Sequence, residues 1–317
     1  MNDVRNELKR MFTAYWEYLA VHTACKLDIF DLIQAKHNTY SDVLQKLSLN
    51  VDTAKLLISA LVTQGYLQQN ENKYYLTDKS VLLTERHPLS LKNACILWGM
   101  EHMDAWQNLE KTIRTGVPTF DNYFEYISTK PNKLRNYHRA MYEYAIEDYK
   151  NITKKIDFSS YKSIMDVGGG LGALIENIAK VYPNKQLHLF EKPEVIDLLS
   201  NSEKINQLQG DFFEDIPNVS DCIILSRVIH DWNDKYAVNI LKNVFKALPV
   251  NGTLIVIENF ADKMPDKASL LSLNMAVMCK SYERTKNDYL NLLQNTGFKW
   301  QSTKKLNNLQ YIIIAKK

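Results

Sequence analysis

The sequence predicts an α/β protein in which a doubly wound, mostly parallel sheet follows an N-terminal helical domain of winged-helix type. From about residue 163 onwards, short apolar runs alternate with helical stretches, as in a parallel sheet with helices on both faces. Before that point the order is helix, turn, helix and hairpin. We therefore expect two domains, residues 1–95 and 96–317, with the helices of 96–160 belonging to the second.

Composition and charge are those of an ordinary globular protein. The 317 residues are 45% hydrophobic and 24% charged, and the formal net charge is +3. This balance favours neither a nucleic-acid partner nor a membrane surface. The N-terminus is too charged for a secretory leader, and no apolar run approaches the roughly 20 residues of a membrane span. We expect a cytoplasmic protein without a membrane or nucleic-acid partner.

The four cysteines are scattered along the chain. They lack the paired spacing of a metal site, so we expect no metal. In a chain of this size they are best interpreted as buried thiols in a reducing compartment. They are Cys25, Cys95, Cys222 and Cys279.

Residues 1–35 carry a broad, aromatic-rich stripe of apolar residues at helical spacing. The stripe fits the core of the first domain, and it also fits the interface of an obligate dimer, where such faces are large. Its members are Phe12, Tyr15, Trp16, Leu19, Val21 and Ala24.

Residues 41–85 follow a winged-helix pattern. Asn50 is a suitable cap for a helix over Val51–Thr63, and a polar turn at Asn70-Glu71-Asn72 separates two short strands. DNA binding would require several cations on the second helix, which offers only Lys55. A packing role is therefore favoured for this segment.

Five apolar runs predict the strands of the second domain, with helices between them. Because the last run stands at the end of the chain, we expect it to be an added edge strand. The runs are Ile164–Val167, Leu187–Phe190, Cys222–Leu225, Thr253–Ile257 and Tyr311–Ala315.

A glycine-rich segment, Asp166–Gly172, links the first of these strands to a helix. This is where a doubly wound sheet binds its cofactor. Glycines such as Gly168 and Gly170 allow a tight turn and leave backbone N–H groups accessible. With Ala173 they also fit the dinucleotide fingerprint, so the segment alone does not decide the cofactor.

The acidic residues around this turn favour S-adenosylmethionine over a dinucleotide. Asp166 is placed to meet an ammonium group and would repel a pyrophosphate. Glu191 closes the second strand and can accept from ribose hydroxyls, a feature that dehydrogenases share. Asp211 follows a third short strand and can accept from an adenine amino group, while Phe212 can stack on the ring.

A histidine cluster, Ser226–Trp232, follows the fourth strand. His230 therefore lies at the carboxyl edge of the sheet, where such folds place their sites. Glu258 ends the fifth strand, and Glu283 lies in a later loop. A histidine flanked by carboxylates can take a proton, because the acids fix its tautomer and stabilise the imidazolium.

Together these segments resemble the small-molecule O-methyltransferase family that includes caffeate and hydroxyindole O-methyltransferases. The resemblance covers essentially the whole chain. It is carried by DVGGGLG at Asp166–Gly172, LFEKPEVI at Leu189–Ile196, GDFF at Gly210–Phe213, SRVIHDW at Ser226–Trp232, IE at Ile257–Glu258, LNM at Leu273–Met275, YERT at Tyr282–Thr285 and TGF at Thr296–Phe298.

The resemblance implies a Rossmann-like methyltransferase sheet, an N-terminal dimerisation domain and a homodimer. It implies transfer of a methyl group from S-adenosylmethionine to a hydroxyl of a small, aromatic or polyketide-like acceptor. His230 would be the general base, with Glu258 and Glu283 orienting it. The matched cofactor positions are Gly168, Glu191, Asp211, Phe212 and Arg227, with Asp231 nearby. The matched acceptor-pocket positions are Met141, Tyr144, Met275 and Met278.

The chain departs from the family pattern at two places. Glu191 stands where the family usually has Asp, and Cys279–Tyr282 replaces glycines that often precede the E-R-T element. The acceptor's identity therefore does not carry over. Methylation of nitrogen or carbon, a non-methylating reaction on the same cofactor, a dehydrogenase and a winged-helix DNA-binding regulator remain as alternatives.

Overall fold

The computed structural model describes residues 2–317 and divides the chain into two compact units. The first ends at Glu101 and the second spans His102–Lys317. This boundary falls a few residues after the one that we expect from the sequence. Along residues 2–317, none of the helices combines the length and apolar character needed to cross a bilayer.

The first unit is helical apart from one hairpin. Strands β1 (Leu67–Asn70) and β2 (Lys73–Leu76) pair antiparallel around the polar turn that the sequence predicts. The helices are α1 (Asn2–Lys26), α2 (Ile29–Gln34), α3 (Tyr40–Leu47), α4 (Val51–Thr63), α5 (Asp78–Val81) and α6 (Lys92–Trp98). The predicted second helix is confirmed with its cap, because Asn50 Oδ1 accepts from the N–H of Thr53 at 3.1 Å.

The aromatic stripe of α1 divides into two parts. Near its C-terminal end, Val21 and Ala24 are buried in the core of the unit. The N-terminal part instead exposes large apolar side chains at helical spacing. They are Val4, Leu8, Met11, Phe12, Tyr15 and Trp16, each between 45% and 63% exposed.

The second unit contains one sheet flanked by helices. Its helices are α7 (Glu101–Gln107), α8 (Leu109–Thr115), α9 (Tyr123–Ser128), α10 (Pro131–Asp148), α11 (Ile152–Lys155), α12 (Ala173–Val181), α13 (Pro193–Ile196), α14 (Asp234–Ala247), α15 (Pro265–Cys279) and α16 (Lys286–Asn295). Its strands are β3 (Ser163–Val167), β4 (Gln186–Glu191), β5 (Asn206–Gln209), β6 (Cys222–Ser226), β7 (Thr253–Asn259), β8 (Lys299–Lys305) and β9 (Gln310–Lys316).

The described strands of this unit follow the order β5-β4-β3-β6-β7-β9-β8. Neighbours from β5 to β7 are parallel, whereas β9 runs antiparallel to both β7 and β8. The mostly parallel, doubly wound sheet is therefore confirmed. The carboxyl ends of β3, β4, β6 and β7 meet at one edge, which is the edge that such folds use for ligands.

One expectation about the sheet is wrong. The run Tyr311–Ala315 lies within β9, which pairs on both sides, and the edge strand is β8. The segment that forms β8 is polar and mostly exposed, so it carries no apolar run. An edge strand needs only one pairing partner, and β8 can therefore form without the hydrophobic signal that marks the inner strands.

Alternating side chains of the sheet pack into two separate hydrophobic cores, one on each face. Met165, Ile223 and Val256 pack with helices α14 and α16 on one face. Ile164 and Ile224 pack with α11 and α12 on the other. This two-sided burial explains why the inner strands are continuously apolar.

Candidate active site

The loop after β3 bends sharply at three glycines before α12 begins. Gly168, Gly170 and Gly172 have φ values of 70°, 57° and 84°, a left-handed region that other residues rarely adopt. The N–H of Gly168 donates to the carbonyl of Phe190 at 2.9 Å, which ties the loop to β4.

Space as well as backbone conformation requires glycine here. A Cβ on Gly168 would lie 2.8 Å from Cγ2 of Val228, a buried β-branched side chain that cannot easily move. A Cβ on Gly169 would lie 2.5 Å from both Oδ2 of Asp166 and Cδ1 of Leu189. The loop Asp166–Gly172 therefore presents backbone without side chains at its glycines, and it is called the cradle below.

Two buried acids lie behind this cradle. Within the described part of the chain, no group donates to Oδ1 of Asp166, which is only 1% exposed. Burial, with a smaller contribution from Glu191, raises the pKa of Asp166 to about 7. Glu191 accepts from the N–H groups of Gly170 at 3.1 Å and Lys192 at 2.9 Å, and burial raises its pKa. An unpaired buried carboxyl oxygen points to a donor supplied by a ligand.

The segment after β5 forms the remaining side of the cradle. The N–H of Gly210 donates to the carbonyl of Glu191 at 3.0 Å, which brings the segment after β5 against the end of β4. Asp211 accepts from the N–H of Phe213 at 2.8 Å. The ring of Phe212 lies 3.5 Å from where a Cβ on Gly168 would stand. The six predicted positions Asp166, Gly168, Gly170, Glu191, Asp211 and Phe212 thus lie together.

A single carboxylate oxygen shapes the turn after β6. Oε1 of Glu258 accepts from the N–H groups of Val228 at 3.1 Å, Ile229 at 2.9 Å and His230 at 3.3 Å. The turn Ile229–Asp231 is a short 3₁₀ helix. Glu258 is fully buried at the end of β7, so this turn is held by a side chain from the next strand of the sheet.

The imidazole of His230 is surrounded by three carboxyl groups. Its Nδ1 lies 3.0 Å from Oε1 of Glu283 and 3.9 Å from Oε2 of Glu258, and its Nε2 lies 3.6 Å from Oδ1 of Asp231. Burial alone would lower the pKa of His230, but Glu258, Asp231 and Glu283 together raise it to about 10. Only Glu283 lies at hydrogen-bonding distance from the ring.

The three acids differ in the net direction of their pKa shifts. Burial raises the pKa of Glu258 to about 7 and also raises that of Asp231. For Glu283, burial acts in the same direction, but the pKa is lowered because His230 and Asn259 stabilise the ionised form. The Nδ2 of Asn259 donates to Oε1 of Glu283 at 3.1 Å. Of the three carboxyl groups, Glu283 is thus the one whose ionised form its surroundings favour most.

Arg227 takes a left-handed conformation, with φ 53°, directly after β6. Its N–H donates to the carbonyl of Ile257 at 2.9 Å, and Nη1 lies 3.3 Å from Oδ2 of Asp148 at the end of α10. The structure thus places its guanidinium on a carboxylate at the sheet edge. Its role as a cofactor contact, like the roles of the other predicted site residues, remains a prediction.

The predicted acceptor-pocket residues belong to two helices. Met141 and Tyr144 lie on α10 and are partly buried. Met275 and Met278 lie on α15 and are buried at 4% and 3% exposure. Met278 packs in a core cluster with aromatic residues of α9. This position therefore contributes to packing, in addition to its predicted place in the acceptor pocket.

Aromatic rings of α9 and α10 form a wall that extends to Trp232 beside the histidine turn, and the sequence did not predict this wall. The ring of Tyr137 lies 5.6 Å from that of Tyr123 and 5.7 Å from that of Phe124, which in turn lies 5.5 Å from Trp232. His138, beside Gly170, is buried, and burial lowers its pKa to about 4. The apolar periodicity of α9 and α10 could have indicated an aromatic helix face, but not that this face lies against Trp232.

The similarity of the chain to known proteins identifies its family. A model of the O-methyltransferase domain matches residues 106–299, and a model of the O-methyltransferase dimerisation domain matches residues 10–86. The chain belongs to the O-methyltransferase family. It is an S-adenosylmethionine-dependent O-methyltransferase, and S-adenosylmethionine rather than NAD is its cofactor.

Relatives of this methyltransferase span nearly its full length. It is 27% identical to the phenazine O-methyltransferase of Lysobacter antibioticus, over 92% of this chain and 90% of the relative. It is 26% identical to the mitomycin biosynthesis 6-O-methyltransferase of Streptomyces lavendulae, over 90% and 86%. Human N-acetylserotonin methyltransferase, solved in complex with S-adenosylmethionine, superimposes with a TM-score of 0.88 at 26% identity, covering 99% of this chain and 97% of that one.

The cradle of this methyltransferase meets the requirements of its cofactor. The glycine wall leaves room that a Cβ would fill, and the unpaired Oδ1 of Asp166 requires a donor. A cationic ligand with hydroxyl and amino groups supplies such donors.

We expect Gly168→Ala to weaken binding of S-adenosylmethionine by at least about tenfold, or about 1.4 kcal/mol. The added methyl group would meet Val228 and narrow the cradle beside Phe212. Calorimetric titration with S-adenosylmethionine measures the change.

Gly116→Ala is the matched control. Gly116 has a similar φ of 67°, but no described atom lies within 4 Å of the position where its Cβ would stand. Both variants carry the strain of a left-handed alanine, about 1–2 kcal/mol. If the two variants bind the cofactor equally well, the cradle is not where the cofactor lies.

Proposed function

We propose that this O-methyltransferase transfers the methyl group of S-adenosylmethionine to a hydroxyl of a small, flat aromatic acceptor, with His230 as the general base. One observation carries the proposal. The imidazole stands at the carboxyl edge of the sheet with Nδ1 engaged by Glu283 at 3.0 Å, which leaves Nε2 to face the acceptor. A histidine held in this way can take a proton on its second nitrogen.

The cofactor-facing roles follow from the cradle. Asp166, Glu191 and Asp211 offer carboxyl oxygens at the ends of three successive strands, and Phe212 offers a ring beside Gly168. We assign the first to the amino group, the second to the ribose hydroxyls and the third to the adenine. When bound, S-adenosylmethionine supplies an activated methyl group on a sulfonium centre.

The proton balance assigns the remaining work to His230. Nε2 of His230 would take the hydroxyl proton that the acceptor loses on methylation and would later release it to solvent. Glu283 and Asp231 stabilise the imidazolium that forms. A phenol has a pKa of about 10, close to the pKa of about 10 that the carboxyl groups give His230. Transfer between groups of equal pKa has no thermodynamic penalty, but the imidazole must first be neutral, so below a pH of about 10 only a minor fraction of His230 can act as the base.

The acceptor class follows from the side chains near the histidine. Phe124, Tyr137 and Trp232 form a wall of aromatic rings, and Met141 and Met275 provide adaptable apolar surface. Tyr144 and Met278, on the same two helices, are assigned to the same pocket. The relatives' names include phenazine, mitomycin and myricetin O-methyltransferases, which supports a polycyclic aromatic acceptor.

We expect His230→Gln to lose about 10²–10⁴-fold in turnover, the usual contribution of a general base. Affinity for S-adenosylmethionine should stay near the wild-type value, since the glycine cradle is untouched. Turnover is measured as formation of S-adenosylhomocysteine with a panel of hydroxyphenazine, flavonol and hydroxyindole acceptors. His37→Gln, in the first unit, is the control. Turnover within a few-fold of wild type in His230→Gln would remove the base assignment.

The raised pKa of His230 sets the direction of the pH dependence. Because only the neutral imidazole can accept a proton, we expect kcat/KM to rise with pH towards about 10. Glu283→Gln removes a negative charge that stabilises the imidazolium, so the pKa of His230 should fall and the rising limb should move to lower pH.

A pH–rate profile of wild type and Glu283→Gln checks this shift. Glu110→Gln is the control, because Glu110 is exposed on α8 and pairs only with Arg114 among the described residues. A rising limb in Glu283→Gln that stays in place, or moves to higher pH, contradicts the proposed pairing.

We also propose a homodimer formed through the first unit. Six large apolar side chains of α1 are exposed at helical spacing, which is the pattern of a helix face that another chain covers. The match of residues 10–86 to a dimerisation domain supports the same assembly. This accounts for the part of the α1 stripe that the core of the unit does not use.

Trp16→Glu should shift the dimer towards monomer, because a carboxylate without a partner is costly to bury. Light scattering at micromolar concentration measures the mass. Val250→Glu is the matched control: Val250 is 81% exposed in the second unit, outside the residues that match the dimerisation domain. A wild-type protein that scatters as a monomer contradicts the assembly.

A further inference from the structure

We infer that Arg284 is a positioning residue that fixes the catalytic turn through its backbone carbonyl groups. The inference rests on the proposed role of His230 and adds to it the group that sets where the base stands. Arg284 follows Glu283 directly within the YERT segment, Tyr282–Thr285, but the sequence assigns it no role of its own in the reaction.

The contacts of Arg284 are directed at the turn. Its Nη1 donates to the carbonyl of Ile229 at 3.0 Å, and Nη2 donates to the carbonyl of Trp232 at 2.7 Å. Nε and Nη2 also donate to Oδ1 of Asp234 at 3.0 and 2.7 Å. The Arg284 side chain is fully buried, although its carboxylate partner is 64% exposed. A charge buried in this way needs its full set of acceptors, so its geometry is tightly defined.

The turn is thus held from two sides. On one side, Oε1 of Glu258 accepts its N–H groups. On the other, Arg284 donates to the carbonyls of Ile229 and Trp232, and the hydroxyl of Ser281 donates to the carbonyl of His230. These backbone N–H and C=O groups of the turn are therefore hydrogen-bonded, which restricts rotation of the His230 backbone. In this position the ring can stay directed at the methyl acceptor.

The same short segment also holds the ring. Residues 281–284, the positioning loop, provide Ser281 and Arg284 for the backbone of the turn and Glu283 for Nδ1 of His230. The N–H of Glu283 donates to the hydroxyl of Ser272 at 3.1 Å, which fastens the loop to α15. The loop therefore sets the backbone and the ring of the base together.

Arg284→Lys separates position from charge. Lysine keeps the positive charge but lacks the planar fork that reaches two carbonyls and a carboxylate at once. A pKa change of His230 in this variant therefore reports altered distances to Glu283, Glu258 and Asp231, the carboxyl groups that face it from the loop, from β7 and from its own turn. Arg114→Lys, an exposed arginine with an i,i+4 partner on α8, is the matched control.

The experiment combines kinetics, binding and histidine NMR on the full-length protein. We expect kcat of Arg284→Lys to fall at least about tenfold, equivalent to about 1.4 kcal/mol of transition-state stabilisation. Acceptor KM and the affinity for S-adenosylhomocysteine should change less than about twofold, since ground-state contacts are kept. The ¹⁵N-detected titration of His230, assigned by its absence in His230→Gln, should move to lower pH. Arg114→Lys should match wild type in each measurement.

A folded Arg284→Lys variant with unchanged kcat and an unchanged His230 titration overturns the inference, and so does a loss confined to KM. If this variant does not fold, Asp234→Asn decides, because it releases only the exposed end of the guanidinium. We then expect a loss of a few-fold in kcat with a smaller shift of the His230 titration, and no change in either measurement overturns the inference.

The two proposals fail in distinguishable ways. An active His230→Gln variant removes the general base, whereas the NMR titration of Arg284→Lys still reports whether Arg284 positions the imidazole. An inactive His230→Gln variant beside a fully active Arg284→Lys variant removes the positioning role alone.

Discussion

The site depends on one buried carboxylate that accepts the backbone N–H groups of the turn after β6. Glu258 sits at the end of a strand whose residues are buried throughout, so its position is set by the sheet. Burying a carboxyl group is costly unless hydrogen bonds compensate. The N–H groups of Val228, Ile229 and His230 satisfy Oε1, whereas Oε2 has no hydrogen-bond partner among the described residues, and burial raises the pKa of Glu258 to about 7. The requirement to satisfy Glu258 therefore fixes the turn, and the turn fixes the histidine.

The electrostatics of the cluster follow from the same burial. Water is largely excluded, so the acids cannot all ionise independently beside one imidazole. Burial raises the pKa of Glu258 and of Asp231, whereas the imidazole and Asn259 keep Glu283 ionised. Glu258 acts mainly on the backbone, and Glu283 acts on the ring. Two acids that look equivalent in the sequence thus have different geometries at the same histidine.

Sequence patterns predicted what arises from local or periodic signals. The buried strands, the helix capped by Asn50 and the glycine turn each leave a mark within a few residues. The edge strand β8 left none, because a polar strand paired on one side needs no apolar alternation. The fork of Arg284 was equally hidden, since its acceptors lie 50 to 55 residues away and include backbone carbonyls that every residue possesses.

The loop before Glu283 shows why the reaction could be anticipated while the acceptor could not. Lys280 adopts a left-handed conformation, with φ 55°, at the end of α15, where glycine would carry no steric cost. Ser281, next to it, donates to the carbonyl of His230, a contact that glycine cannot make. Where the family often has glycine, this chain thus has a side chain that links the loop after α15 to the turn that carries His230. The carbonyl of Met275 on α15 accepts from the N–H of Ser281 at 3.5 Å and from Sγ of Cys279 at 3.4 Å, so the end of this helix and the loop that contacts His230 are held together.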